Sequence, residues 1–264
     1  LTFVEILKYN IQNNLSFFRL SSDIIPFASH PVCKFDWMGY FKNDFIKIGQ
    51  IIKKNNIRIS MHPDQFVLLN AHDPKIVRNS INELEYHADV LDSMKLDYSA
   101  KIQIHVGGVY KNKEQSIKNF INNYENLLSD KVKKRLVIEN DDYRYSLKDC
   151  IFIHEQTKTP ILLDIFHHEC LNDNLSLIDA IYKVIKTWHR PIDGIPLIDY
   201  SNQEPNQRKG KHALTIDLTH FKDFISLISS FDLDLDIMLE VKDKEKSAER
   251  AVRMLNQLNS LEYR

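Results

Sequence analysis

"IRISMHPDQFVLLN", residues 57–70, begins as an apolar, β-branched run, stops at a histidine, and then presents a proline, an acid, an amide and an aromatic ring. Its apolar part is long enough for one strand and too short for a helix. Six further runs share the form: "LSFFRLS" (15–21), "KIQIHV" (101–106), "RLVIEN" (135–140), "PILLDIF" (160–166), "GIPLIDY" (194–200) and "LDIMLEV" (235–241). Amphipathic segments with helical spacing separate them, among them "FKNDFIKIGQIIKKNN" (41–56), "NSINELEYHADVLDSM" (79–94) and "KEQSIKNFINNYENLLSD" (113–130). Such alternation predicts an α/β protein whose parallel strands are joined by helical crossovers, either a doubly wound sheet or a (β/α)8 TIM barrel.

The ends of the runs favour the barrel. No glycine-rich phosphate loop follows the first run, and a polar side chain closes nearly every run: His62, His105, Glu139, Asp164, Asp199 and Glu240. A barrel brings all strand C-termini to one face, where barrel enzymes keep their active sites. The chain opens on a helical segment, "VEILKYNIQNN", so the count is one strand short of eight. The expectation is a single TIM-barrel domain over residues 1–264, lacking or truncated at its first strand.

Composition narrows the class. With 43% hydrophobic residues, 6 Gly and 8 Pro in 264, the chain can bury a substantial core and is neither disordered nor fibrous. No apolar run approaches the roughly 20 residues that span a bilayer, and the first residues lack the basic start and apolar stretch of a secretory signal. Cys33, Cys150 and Cys170 are odd in number and far apart, which excludes a disulfide framework or zinc knuckle. A soluble, intracellular protein with no membrane partner is expected. The 35 Lys and Arg balance 36 Asp and Glu, so net charge alone names no partner. Divalent cations gathered by several carboxylates would leave the remaining surface basic by difference.

Histidines and carboxylates at six strand ends would repel one another unless cations neutralise them. The six residues therefore point to a polynuclear divalent site. Mixed nitrogen and oxygen donors suit Mn, Mg, Zn or Fe, and no thiolate narrows the choice. Glu139 is the natural bridging carboxylate, since its oxygens can serve two cations roughly 3.5–4 Å apart.

"SSDIIPFASHP" (21–31), "SMHPDQFVLLN" (60–70), "IQIHVGGVY" (102–110), "VIENDD" (137–142), "LLDIFHH" (162–168), "KHA" (211–213) and "LEVKDKE" (239–245) resemble, in order and spacing, the successive motifs of the UV damage endonucleases. The resemblance covers Leu15 to Lys244, most of the chain. It implies a metal-dependent barrel of the xylose isomerase and endonuclease IV type that nicks duplex DNA immediately 5′ to ultraviolet photoproducts, both cyclobutane pyrimidine dimers and 6-4 photoproducts. Carried over by position, it makes His62, His105, Glu139, Asp164, His167, His212 and Glu240 metal ligands and His30 a catalytic-site histidine beside them; Glu139, and Asp199 where the family has a histidine, are the further catalytic candidates. Two or three divalent ions are implied, Mn²⁺ foremost, with Mg²⁺ or Zn²⁺ as alternatives. Gln65 and Phe66 become the pair that enters the duplex at the lesion and fills the space left by extruded pyrimidines. The family more often has Tyr at the second of these positions, so Phe66 stacks without a hydroxyl to donate. Damaged double-stranded DNA is the expected partner and a monomer the expected state.

Three places depart from the resembled pattern. Where the family reads like "PKxHxS", this chain reads "PLIDYS", so Leu197 replaces a lysine and Asp199 a histidine on the same strand face. Asp199 is expected to remain a ligand and shift the preference toward harder cations such as Mn or Mg. "ALTID" stands after His212 in place of "ADYI", and the first strand is missing from the count. Lys111, Lys113, Arg144, Arg208, Lys209 and Lys211 follow strand ends and are candidate phosphate contacts. "KVKKR" (131–135) precedes a strand and reads as a solubilising patch on the opposite face. Other readings are an abasic-site endonuclease or sugar isomerase of the same barrel type, which does not need the "HPDQF" loop, and a lesion-binding protein that has lost its chemistry. Cutting at abasic sites but not photoproducts would mark the first; binding without metal-dependent cutting would mark the second.

Overall fold

Each apolar run forms a strand because both of its faces are buried, one against the barrel interior and one against the helices. A computed structural model describes residues 2–262. Its strands are β1 (Phe17–Leu20), β2 (Arg58–Met61), β3 (Lys101–His105), β4 (Leu136–Glu139), β5 (Ile161–Asp164), β6 (Leu197–Tyr200) and β7 (Asp236–Leu239). All seven fall inside the runs read from the sequence. They pair in parallel in strict chain order, as a barrel requires and a doubly wound sheet does not.

The register sets the height of the polar residues. His105 of β3 lies opposite Glu139 of β4, and Asp164 of β5 lies opposite Asp199 of β6. The strand-end residues therefore share one rim. β4, β5 and β6 are buried throughout, whereas every residue of β7 and most of β1 are half-buried. Those two strands flank the seam. Among the described residues no backbone ladder joins them, and the Arg19–Glu240 ion pair spans the gap instead. The barrel is thus seven-stranded and nearly closed, as expected.

The crossover helices are held by local chemistry. Asp73 caps the helix Pro74–Ser93 by accepting from the Lys75 amide at 2.8 Å, with proline at the first helical position. Asn112 caps Lys113–Leu127 and Asp217 caps Leu218–Ser229. One crossover helix, Leu147–Thr157, was not singled out in the sequence. Leu147, Cys150 and Ile153 are buried along it, but Phe152 is exposed, which blurs its apolar stripe. The "KVKKR" reading needs correction: Arg135 is only 1% exposed and donates to Asp92 and to the carbonyls of Leu96, Asp97 and Ala100. It caps the carbonyls of the turn that enters β3. Among the described residues no helix is long and apolar enough to cross a membrane.

Candidate metal centre and DNA-probing loop

The loops that leave the strand ends aim the site. β2 delivers His62, whose carbonyl accepts from Ser22 Oγ at 2.6 Å, tying the first two C-terminal loops together. After β3, the chain turns at Gly107, where φ is +115° and a Cβ would sit 2.5 Å from Asn70 Oδ1. Only glycine fits there without strain. β5 ends at Asp164, which also caps the short helix Ile165–Cys170 by accepting from the His167 amide at 2.8 Å. That cap turns His167 back toward the barrel axis. Asn140 holds the same point, exchanging both of its amide hydrogen bonds with the Asp164 backbone, at 2.9 and 3.0 Å.

Glu139 is the hub. It is 1% exposed, with His62 Nε2 at 3.2 Å and His105 Nε2 at 3.6 Å from one oxygen and His167 Nδ1 at 3.3 Å from the other. Gln103 Nε2 donates to it at 2.6 Å. Donor atoms within 4.8 Å of one another form three groups: His62, His105 and Glu139; Asp164, His167 and His212; and Glu139, Asp164 and Asp199. Glu240 meets His212 Nδ1 at 3.8 Å. The seven residues matched to ligands by resemblance, together with Asp199, thus converge.

These residues fit divalent cations. His62, His167 and His212 each place Nδ1 against a backbone carbonyl, of Pro63 at 2.8 Å, Asn140 at 3.0 Å and Glu240 at 3.2 Å. A carbonyl only accepts, so each Nδ1 carries the proton and each Nε2 presents a lone pair. Those lone pairs face acceptors: His167 Nε2 lies 3.2 Å from His212 Nε2, and His62 Nε2 faces Glu139. A cation or an added proton must lie between such pairs. Buried Asp164 Oδ2 has no hydrogen-bond partner, a further coordination position left open. Backbone carbonyls behind metal-ligating imidazoles are the usual way a protein fixes tautomer and aim.

Electrostatics agree. Burial opposes ionisation of Glu139, but His105, His167 and His62 outweigh it and hold the carboxyl well below its usual range. Burial likewise disfavours a charged His167, yet Asp164 and Glu139 raise it to about 11. Burial raises Asp164 well above the ordinary carboxyl range, and burial lowers His105 and His212. In the ion-free protein, then, His167 carries a proton that a cation held by Asp164, His167 and His212 would displace. A consequence follows for stability. A histidine titrating at 6.5 when unfolded and about 11 when folded contributes stability below pH 6.5 that is lost as pH rises through 11. Chelator-treated protein is expected to lose melting temperature steadily between pH 6.5 and 9, and saturating Mn²⁺ to flatten that slope, because a cation replaces the proton. Parallel slopes with and without Mn²⁺ in thermal melts would contradict this.

The other sequence-derived residues divide. Phe66 is 74% exposed, so it does not pack in the core, and Gln65 beside it is exposed too. His30 lies outside the three donor groups: it is exposed and lines a cavity of about 290 Å³ together with Phe27, Asp64, Phe66 and Glu83. Of the basic residues, Lys113 is paired with Asp149 at 2.9 Å, Lys209 donates to the Cys170 carbonyl at 2.8 Å, and the Arg144 guanidinium stacks on exposed Tyr143. Lys111 and Arg208 are exposed and Lys211 is half-buried. In the long loop after β6, residues 201–213, Gln203 and His212 form an isolated antiparallel bridge. Exposed Leu214 has its amide held by Glu204 Oε2 at 2.6 Å. Arg19, Gln103 and Asn140 were missed in the sequence. Gln103 lies two residues before His105 on the same strand face, and that spacing was the available signal.

A nearly closed parallel barrel with histidines and carboxylates at its strand C-termini defines a class of TIM-barrel proteins. Endonuclease IV from Thermus thermophilus shares the fold at 11% identity, with a TM-score of 0.63 over 97% of this chain and 93% of that one. Within that class the chain belongs to the UV-endonuclease UvdE family, whose model matches residues 1–263. It is 41% identical over 256 residues to the UV DNA damage endonuclease of Clostridium perfringens (strain 13 / Type A), covering 97% of this chain and 61% of that protein's length. The crystal structure of SacUVDE superposes with a TM-score of 0.91 at 47% identity, over 97% of this chain and 85% of that one.

Proposed function

We propose that this chain is a DNA repair endonuclease that hydrolyses one phosphodiester bond of duplex DNA on the 5′ side of an ultraviolet photoproduct. The observation that carries the reading is the placement of Gln65 and Phe66: exposed at the tip of the loop that begins with His62, whose ring faces Glu139. Probe and candidate reaction centre are therefore three residues apart on one segment.

His62, His105 and Glu139 would hold one divalent cation, and Asp164, His167 and His212 a second, with Glu139 reaching both. Such ions supply positive charge against the phosphate and lower the cost of deprotonating water. The chain's own side chains do the rest. Phe66 and Gln65 replace unstacked, unpaired bases with a ring face and an amide. Damage lowers the cost of that exchange, because a photoproduct is already poorly stacked and paired. His30 lines the same cavity as Phe66 and would contact the DNA there. Lys111, Arg144, Arg208 and Lys211 lie in loops that follow strand C-terminal ends and would meet phosphates.

The test is an incision assay in Mn²⁺ with one duplex carrying a single cyclobutane dimer and one without. A nick 5′ to the dimer alone is expected. Nicking of both duplexes, or of neither, overturns the reading. Phe66→Ala is expected to weaken binding to the damaged duplex by roughly 5- to 150-fold, the equivalent of about 1–3 kcal/mol for a lost base–aromatic stack. Binding to undamaged duplex stays unchanged, as does thermal stability, since the ring is not packed. Equal losses on both duplexes in a binding titration would show that Phe66 probes nothing.

A further inference from the structure

Arg19 stands in the middle of β1, and its guanidinium reaches the centre of the barrel. Its Nη2 lies 2.7 Å from each oxygen of Asp199 and 2.9 Å from Gln103 Oε1, while Nη1 pairs with Glu240 Oε1. Gln103 completes the ring by donating from Nε2 to both Asp199 and Glu139. Five strands or strand ends, β1, β3, β4, β6 and the end of β7, are thus joined around one fixed positive charge. Asp199 is 0% exposed, and both of its oxygens are already engaged by N–H donors.

Distance alone groups Asp199 with Glu139 and Asp164 as a third cation site. The hydrogen bonds argue otherwise. The Asp199 oxygens are turned toward Arg19 and the Gln103 amide, and Glu240 has one oxygen committed to the same guanidinium. By contrast, the donors of His62, His105, Asp164, His167 and His212 face acceptors or nothing. The barrel interior therefore divides into a half that needs cations and a half that already contains one.

Resting on the metal reading above, we propose that the Arg19 guanidinium is a built-in cation that takes Asp199 out of the ligand set and limits the centre to two divalent ions. Arg19 is a positioning residue in this account: it fixes Gln103, and through Gln103 the orientation of Glu139. The chain's own departure at position 199 gives it a reason: a carboxylate there offers two oxygens to the Arg19 guanidinium, and both are taken.

Native mass spectrometry of the full chain, after Mn²⁺ loading and removal of free ion, reads the count directly. Two ions per chain are expected for the parent and for Asp199→Asn, with unchanged Mn²⁺ affinity in the latter. Arg19→Met exposes Asp199 and Glu240 to solvent ions and is expected to take up a third. Arg19→Lys, which keeps a cation, is expected to restore two, a result that a purely structural role for Arg19 would not produce. Three ions in the parent, or an Asp199→Asn chain that loses an ion or binds Mn²⁺ tenfold more weakly, overturns the assignment. A parent that binds no ion takes down the metal reading beneath it, an outcome distinct from three. If Arg19→Met fails to fold, the parent and Asp199→Asn counts still decide.

Discussion

Glu139→Gln is expected to lower the rate of incision by at least about 10²–10³-fold, the range seen when one preorganised charge-stabilising group is removed from an active site, while leaving the barrel folded. The substitution keeps the shape of the side chain and removes its charge. Three imidazoles converge on that carboxylate, and Gln103 donates a further hydrogen bond to it. With an amide in its place, one of the two oxygen positions becomes an N–H donor. It then points at a histidine lone pair or at the Gln103 amide, and an N–H in either direction would displace a cation that Glu139 would help to hold. The loss therefore reaches both candidate cation positions at once. Asp164→Asn disturbs only one of them directly, so its deficit is expected to be smaller and to be partly relieved by raising Mn²⁺. Single-turnover incision across a Mn²⁺ titration separates the cases: no concentration should rescue Glu139→Gln. Full rescue at high Mn²⁺ would show that Glu139 merely tightens binding and bridges nothing.

The strands were legible because a strand buried in the core leaves a local mark, a largely apolar run, and because nearly every run ends in a residue no core would choose. The strand-end ligands could be read for the same reason: His105 and Glu139 are opposite in register only because both runs end where they do. Arg19 was not legible. It sits between Phe18 and Leu20 in a run that reads as plain core, and its partners Gln103, Asp199 and Glu240 come from β3, β6 and the end of β7. A charge inside a strand can be placed only when the opposite wall of the barrel is known. Arg135 escaped for a related reason. A run of lysines and an arginine before a strand looks solvated, but closing the barrel's lower face turns one member of it inward onto Asp92 and a row of carbonyls. The seam itself was visible as a missing strand, yet its consequence, half-buried β1 and β7 bridged by an ion pair, belongs to the closed structure.

That lower face carries the largest expected effect on stability. Lys101, the first residue of β3, is 0% exposed; its ammonium donates to Asp193 Oδ1 at 2.5 Å and to the Lys134 carbonyl at 2.9 Å, beside the ring of Trp188. Asp193 in turn accepts from the His189 amide at 2.8 Å, and its own carbonyl accepts from Arg58 at 2.9 Å. Asp193→Ala strands the ammonium in the core with only a carbonyl for company, and a buried pair broken on one side costs about 3–5 kcal/mol. The pH dependence gives the cause away. Burial already lowers the Lys101 pKa against the pull of Asp193, and without the carboxylate nothing charged opposes burial. A lysine whose folded pKa lies below its unfolded value binds fewer protons when folded, so stability rises with pH across that interval. The deficit of Asp193→Ala in urea unfolding is therefore expected to shrink between pH 7 and 10. Adding Lys101→Met should recover most of it at pH 7, because an apolar replacement of a buried pair is often nearly neutral. A single-variant deficit below about 1 kcal/mol, the worth of an exposed pair, or one that does not change with pH, would mean that water reaches this plug and that it does not close the barrel's floor.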